Sequence, residues 1–250
     1  MSRLTLLKVG GAELQPGQPI ERLSRTLADH WPDGGLVVVH GGGPDIASLQ
    51  ARLGLVPRFV EGLRVTDEAS LQVAEMVLSG LVNKRLVAAL MQQGLRAVGL
   101  SGVDGGLLRA VKLRHSAGDL GRVGEIVATE TGILDDLLRQ GFVPIVSPIS
   151  LGQDGRPFNV NADHAALALA KALGAGEAVF CSNVPGVLRD GKLLTHLSAE
   201  EIEPLIRLGV ITGGMIPKVR SAMAAIAGGV GAVRITHLAG LADGGTRISN

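Results

Sequence analysis

The chain has 250 residues, a formal net charge of +1 and only 2% aromatic side chains, which argues against nucleic acid or an anionic membrane surface as a partner. Its hydrophobic content of 46% is enough for a sizeable core, and no stretch is long and apolar enough to predict a membrane span. The single cysteine, Cys181, excludes an internal disulfide framework and predicts a cytoplasmic protein. Its apolar neighbours favour core packing over a reactive thiol.

Three apolar runs in the first half of the chain end in glycines. Leu4 to Val9 is followed by two glycines, Leu36 to Val39 by three, Gly41 to Gly43, and 97–100 by another glycine loop. Apolar runs without alternation predict strands buried in a parallel sheet. Their carboxyl ends meet at one edge of the sheet, where bare backbone N–H groups attract anions. We therefore predict a ligand site at this edge, although a tight turn without a ligand is an alternative for any one loop.

Hydrophobic periodicity predicts helices between these strands and through the rest of the chain. The predicted helices are 20–31, a long one at 67–93 capped by Thr66 and weakened at Gly80, 130–140, one ending at Gly174, one opened by the Ser198 and Glu201 capping box, and one holding Lys218. Further strands are predicted at 142–146, 178–181, 233–236 and 246–249, with an antiparallel hairpin in 106–128. This alternation predicts an α/β protein, a three-layer αβα sandwich with a mostly parallel central sheet. We expect two lobes, 1–174 and 175–250.

Two lysines have positions that suit chemistry on phosphate. Lys8 precedes a glycine pair, and Lys218 lies in the first turns of a helix, where a cation is mildly unfavourable. We hypothesise that they flank a transferring phosphoryl group, which needs neutralisation and positioning; two unrelated surface lysines are the alternative. The sequence has no Walker loop, no well-formed dinucleotide fingerprint and no metal-ligand spacing, and His40 is interpreted as a packed, hydrogen-bonded residue.

A series of motifs in fixed order extends these features along the whole chain. They are 8–11, 40–44, 62–66, 82–84, 119–121 with 123–125, 159–163, 184–187 and 212–218. In these segments the sequence resembles the acetylglutamate kinases of the amino acid kinase superfamily. That family uses ATP to phosphorylate the side-chain carboxylate of N-acetyl-L-glutamate, giving N-acetyl-L-glutamyl 5-phosphate in the second step of arginine biosynthesis.

The resemblance implies a role for each matching residue. Lys8 and Lys218 would stabilise the transition state, with Asp163 holding both lysines; Gly42 and Gly43 would donate backbone N–H groups to the acceptor, Arg64 would bind its α-carboxylate and Asn159 its acetylated amine region. The nucleotide would contact Gly11, Asn183, Val184, Pro185, Gly186, Val187, Leu188, Val210, Ile211 and Thr212. Mg²⁺ is implied with ATP and would be held largely by phosphates and water, without protein ligands. The acceptor carboxylate has a pKa of about 4.3 and is already ionised, so no general base is required.

Several alternatives remain open at this stage. Asp163 could be a helix N-terminal carboxylate, Arg64 a surface ion pair, and Asn161 and Thr212 helix caps. Asn183 replaces the aspartate common in the family, as in kinases acting on aminoadipate or glutamate linked to a carrier protein. The Arg64 loop and the third glycine after His40 favour the free substrate.

Two other classes of protein are alternatives. A non-catalytic amino-acid-sensing domain of the same fold would not need both lysines and Asp163, and a nucleotide-binding oxidoreductase lacks its fingerprint here. The sequence begins close to its first strand, whereas arginine-inhibited hexameric members of the family carry an extra N-terminal helix. The resemblance therefore predicts a homodimer, formed through the helix at 67–93, without arginine feedback.

Overall fold

The computed structural model describes residues 4–32 and 35–250, so the first three residues of the predicted first lobe lie outside the described part. The strands are β1 Thr5–Val9, β2 Leu36–His40, β3 Phe59–Val60, β4 Leu63–Arg64, β5 Ala97–Gly102, β6 Leu108–Lys112, β7 Val123–Thr129, β8 Val143–Gly152, β9 Pro157–Val160, β10 Glu177–Cys181, β11 Leu188–Arg189, β12 Lys192–Leu193, β13 His196–Ser198, β14 Val233–Thr236 and β15 Thr246–Ser249. The helices are α1 Gln18–His30, α2 Gly43–Arg52, α3 Glu68–Glu75, α4 Asn83–Gln92, α5 Gly132–Arg139, α6 Ala162–Ala172, α7 Ala199–Arg207 and α8 Met215–Ala227. Short 3₁₀ turns occur at Gly11–Leu14, Asp104–Gly106 and Leu238–Gly240.

Eleven strands form one sheet in the order β13-β15-β14-β10-β1-β2-β8-β6-β7-β9, with β5 on β8. The pairs around β1, β2 and β10 are parallel, and β6 with β7 forms the predicted antiparallel hairpin. The mostly parallel sheet is therefore confirmed. It is continuous across the predicted lobe boundary because β1 pairs directly with β10. No helix in the described ranges combines the length and apolar character needed to cross a bilayer.

Apolar clusters on the two faces of the sheet confirm the three-layer arrangement. Leu6 packs with α6, α7 and α8 on one face, while Leu7 and Val9 pack with α1, α2, α3 and α4 on the other. This follows from the period-two alternation of side chains along a strand. Cys181 belongs to the second cluster and is fully buried, and burial raises the pKa of its thiol to about 12, so the predicted core role is confirmed.

The long helix predicted at 67–93 differs from expectation in two respects. Its N-cap is Asp67, whose carboxylate accepts the Ser70 N–H at 2.9 Å, and not Thr66. Its middle, Met76–Val82, is π-helical and separates α3 from α4. The side chains of Leu78 and Val82 in this segment lie against the backbone of Gly42: a Cβ on Gly42 would be 2.7 Å from Leu78 Cδ2 and 3.2 Å from Val82 Cγ2. The widened turn therefore lies against the glycine loop that contains Gly42. π-Helical segments are frequently found at functional sites.

Strand β8 is twice as long as predicted. The prediction ended it at 146, but it runs to Gly152 through Pro144 and Pro148. Prolines normally argue against a central strand because they cannot donate a ladder hydrogen bond. Here β8 changes partners along its length, from β2 and β5 to β6 and β9, so that it joins four other strands in one sheet.

Candidate active site

Two glycine loops meet at the carboxyl edge of the sheet. The first follows β1 at Gly10 and Gly11, and the second follows β2 at 41–43. A Cβ on Gly11 would lie 2.8 Å from Pro44 Cδ, 3.0 Å from Gly42 Cα and 3.1 Å from Gly43 N. The loops are therefore in backbone contact, and side chains are excluded from their junction. The result is a cradle of backbone groups of the kind that binds phosphate oxygens.

The three predicted catalytic residues share the region beside this cradle. Lys8 Nζ lies 2.8 Å from Asp163 Oδ1, and the Lys8 side chain is only 14% exposed. Asp163 Oδ1 accepts no well-aligned hydrogen bond, so the Lys8 ammonium is the group that neutralises the charge of this carboxylate. Asp163 and Lys218 line one cavity of about 400 Å³. Among the described residues, Lys218 has no carboxylate partner within ion-pair distance, so its charge is available to a ligand.

Asp163 lies next to the residue that caps helix α6. Asn161 Oδ1 accepts the N–H of Asp163 at 2.8 Å and begins α6, which confirms its capping role. Asp163 is thereby a first-turn residue of α6 and also the partner of Lys8. The expectation that it holds both lysines is met for Lys8 alone, because the described residues show no ion pair of Asp163 with Lys218, which lines the same cavity. Thr212 does not cap the corresponding helix, since α8 begins after Gly214 with no side-chain cap.

The four residues predicted to bind the acceptor line a neighbouring cavity of about 230 Å³: Gly42, Gly43, Arg64 and Asn159. Arg64 donates to Gln50 Oε1 and to Gly43 O at 3.3 Å, and its guanidinium stacks 4.7 Å from the Phe59 ring centroid. Burial lowers the pKa of Arg64 from its usual value. No ion pair of Arg64 with a described carboxylate is present, which excludes the surface ion pair.

The residues predicted to bind nucleotide are more dispersed. Val187 and Ile211 are about 1% exposed and belong to the core, and the Val187 N–H donates to Thr246 Oγ1 at 2.8 Å. Leu188 is exposed, and Asn183 lines a separate cavity of about 390 Å³. No described cavity contains all ten residues. Only backbone groups or the exposed members of this segment are therefore available to a nucleotide.

Sequence reasoning did not identify the side chains that hold the two glycine loops together. Asp45, on the first turn of α2, accepts from Gln15 Nε2 at 2.7 Å and from an Arg85 nitrogen at 2.9 Å. Arg85 also donates to Leu14 O at 3.1 Å, and Gln15 to Gly11 O at 3.2 Å. Asp45 lies in the first turn of a helix, where acidic residues are common, and its partners are 30 and 40 residues away. The position of Arg85 beside the 82–84 motif was the available signal.

His40 ends β2 and is fully buried, as predicted for a packed residue. Its Nδ1 lies 2.9 Å from Gly41 O and its Nε2 lies 3.2 Å from Asn83 Nδ2. A proton on Nδ1 therefore donates to the carbonyl, and Nε2 accepts from the amide. Burial lowers the pKa of His40 to about 4, helped by the nearby Lys84 charge. His40 is thus neutral and ties β2 to α4.

We expect His40 to make stability depend on pH. The unfolded chain takes up a proton near the ordinary pKa of 6.5, whereas the folded chain does so only near 4, so the free energy of unfolding falls as the pH drops through this window. The loss between pH 7 and pH 5 should be about 2 kcal/mol. Urea unfolding of wild type and His40→Gln at both values measures it. Equal losses in the two proteins would contradict the prediction, and the exposed His30→Gln is the matched control.

The side chains beside the cradle bear on how an implied Mg²⁺ would be held. In 4–32 and 35–250 there is no group of three or more histidine, cysteine, aspartate or glutamate side chains that could hold an ion. The Asp163 carboxylate already faces Lys8. This arrangement fits a divalent cation carried on nucleotide phosphates, with water completing its coordination.

Known proteins resemble this chain over nearly its whole length. The model of the "Amino acid kinase family" matches residues 3–237. A protein of Roseiflexus sp. (strain RS-1) named "Acetylglutamate kinase" is 54% identical over 97% of this chain and 92% of its own length. A protein of Chloroflexus aurantiacus (strain ATCC 29366 / DSM 635 / J-10-fl) with the same name is 47% identical over 100% of this chain and 98% of its own.

A solved structure is also similar to this chain, in both sequence and fold. The crystal structure of smu.665 from Streptococcus mutans UA159 is 30% identical to this chain and covers 98% of each chain. Its TM-score against this structure is 0.81, so the two folds match over nearly their whole lengths.

Proposed function

The chain belongs to the amino acid kinase family, and on that premise we propose that it uses ATP to phosphorylate the side-chain carboxylate of N-acetyl-L-glutamate, in the second step of arginine biosynthesis. The relatives that share about half of its residues over nearly its full length carry the name of this activity. The observation that carries the proposal is a pair of adjoining cavities, which share Gly62, Leu63 and Asn161 in their lining. One contains Lys218 and Asp163, and the other contains Arg64 and the glycine loop at 41–43.

The reaction needs charge stabilisation far more than proton transfer. A side-chain carboxylate oxygen of the acceptor attacks the γ-phosphorus, forming the new O–P bond, while the bond from that phosphorus to the β-phosphate oxygen breaks and its electron pair stays on ADP. No proton moves, because the nucleophile is already ionised at neutral pH. Lys8 and Lys218 neutralise the charge on the transferring group, and Asp163 orients Lys8. Backbone N–H groups of Gly42 and Gly43 hold the acceptor end.

The proposal assigns the two halves of the chain to the two substrates. Residues 1–174 carry the acceptor site, and 175–250 carry the nucleotide contacts apart from Gly11. ATP would supply the phosphoryl group, and Mg²⁺ would arrive with it and help neutralise the charge of its phosphates. Arg64 binds the acceptor α-carboxylate in bidentate fashion, and Asn159, which donates to Thr66 Oγ1 at 3.1 Å, faces the acetylated amine. A cytoplasmic location is proposed as well, in line with the buried free thiol of Cys181.

Two other functions make different predictions. A kinase for carrier-linked aminoadipate or glutamate would share Asn183 but would not act on free acetylglutamate. A non-catalytic amino-acid sensor would bind the acceptor without consuming ATP. The ion pair of Lys8 with Asp163 favours the enzyme, and so does Lys218, which has no carboxylate partner among the described residues. A sensor has no need of two cations placed to bind phosphate.

An acyl phosphate is the product that identifies the activity. Purified protein given ATP, Mg²⁺ and N-acetyl-L-glutamate in the presence of hydroxylamine should form the corresponding hydroxamate, detected as its coloured ferric complex. Free glutamate and aminoadipate serve as comparison acceptors. Absence of hydroxamate together with tight binding of acetylglutamate would support the sensor.

We also propose a homodimer formed through the stretch from α3 to α4. Its π-helical segment exposes Met76 and Leu81 by 56% and 52%. This segment packs beside β5, and within the described ranges β5 pairs only with β8, which leaves its outer edge open. An open strand edge beside exposed apolar side chains suits pairing with a second copy about a two-fold axis.

Leu81→Asp should convert this dimer into a monomer, because a carboxylate would be buried in the apolar contact. Light scattering coupled to size-exclusion chromatography should show half the wild-type mass at micromolar concentration. Leu208→Asp is the matched control, since Leu208 is 72% exposed and lies outside the proposed interface. A monomeric wild type, or an unchanged mass for Leu81→Asp, would contradict the proposed interface.

A further inference from the structure

Gln50 is a fully buried polar residue on α2 that touches the acceptor site through one neighbour. Its Oε1 accepts a hydrogen bond from the Arg64 guanidinium, and its Nε2 donates to Ser70 Oγ at 3.0 Å. Ser70 is itself fixed, because its N–H donates to the N-cap carboxylate of Asp67. The Gln50 amide is therefore oriented by α3, and both of its ends have partners.

The charge on Arg64 has no counter-charge within the described structure. The oxygens that accept from its guanidinium are neutral, Gln50 Oε1 and Gly43 O, and its face covers the Phe59 ring. A partly buried guanidinium without a carboxylate is costly unless an anion arrives to pair with it. Carboxylate geometry matches a planar guanidinium held in one orientation.

We propose that Gln50 is a positioning residue that fixes the Arg64 guanidinium toward the acceptor cavity and, being neutral, keeps the Arg64 charge available for an anionic acceptor. The inference rests on the proposed function, since the acceptor it concerns is acetylglutamate. A glutamate of the same shape at this position would form a permanent ion pair with Arg64. The acceptor carboxylate would then have to compete with a tethered one.

Steady-state kinetics and calorimetric titration of full-length variants test this role. In Gln50→Glu the KM and Kd for acetylglutamate should rise about 30-fold, with the KM for ATP within about twofold of wild type. In Gln50→Leu, which removes the acceptor oxygen without adding charge, the rise should be about fivefold. In an Arg64→Ala background, Gln50→Glu should cause no further rise, because the guanidinium it acts on is gone.

Different outcomes overturn different claims. An acceptor KM within about twofold of wild type in Gln50→Glu, or equal effects of glutamate and leucine at this position, would reject the role of Gln50 and leave the kinase activity of the wild type intact. If Gln50→Glu does not fold, an acceptor KM for Gln50→Leu equal to that of wild type rejects the role. A wild type that neither binds nor phosphorylates acetylglutamate would remove the proposed function and this inference with it.

Discussion

Replacing Lys8 with alanine is expected to lower kcat by about 10³-fold while the KM values for ATP and acetylglutamate change by less than about fivefold. Lys8 extends from β1 to within 2.8 Å of Asp163, beside the glycine cradle and the cavity that contains Lys218. Charge accumulates on the transferring phosphoryl group mainly in the transition state, so a cation placed there acts on turnover more than on binding. Lys218→Ala should behave in the same way.

Two further variants separate this role from structural damage. Asp163→Asn keeps the size of the side chain but removes the charge opposite Lys8, so it should lower kcat by about 10-fold to 10²-fold. Lys171→Ala, at the distal end of α6 and exposed, should match wild type. Product formation in the hydroxamate assay and thermal unfolding of each variant provide the measurements. Near-normal turnover in Lys8→Ala or Lys218→Ala would remove that lysine from the phosphoryl site.

Gly11→Ala is expected to reduce kcat/KM by about 10²-fold and to lower the free energy of unfolding by about 1–3 kcal/mol. Its Cβ would lie 2.8 Å from Pro44 Cδ and 3.0 Å from Gly42 Cα, closer than folded structures tolerate, so one loop must move away from the other. Arg85 donates to Asp45 and to Leu14 O, which ties the segments that follow the two loops to each other, so this displacement would also strain those contacts. A shift of this kind misplaces backbone donors around the phosphoryl group.

Gly132→Ala is the matched control for this substitution. Gly132 is the first residue of α5, and a Cβ there would meet no atom within 4 Å. The activity of Gly132→Ala should therefore equal that of wild type. Its stability should equal or slightly exceed that of wild type, because alanine favours the helical conformation more than glycine does. If Gly11→Ala retains wild-type kcat/KM, the junction between the two loops does not position reacting groups.

Local sequence patterns were sufficient to predict the strands and helices that form the layers of this fold. Apolar runs such as 36–39 and the spacing of Leu23 and Leu27 depend on neighbours a few residues away, and these residues form strand β2 and part of helix α1 as predicted. The same reasoning missed the length of β8, because Pro144 and Pro148 look like strand breakers until the partner strands on each side are known. It also missed the π-helical segment, whose Leu78 and Val82 side chains lie against Gly42, a residue far away in the sequence.

The sequence alone determined most of the strands and helices, though not β9 or β13, as well as the loops at which a ligand site would form and the types of residue available there. Tertiary structure decided which of those residues meet. The ion pair of Lys8 with Asp163 and the link from Arg64 through Gln50 to Ser70 join distant segments. Such contacts depend on how the sheet aligns the ends of its strands and on which polar groups burial leaves to pair with one another, and neither is written in local sequence.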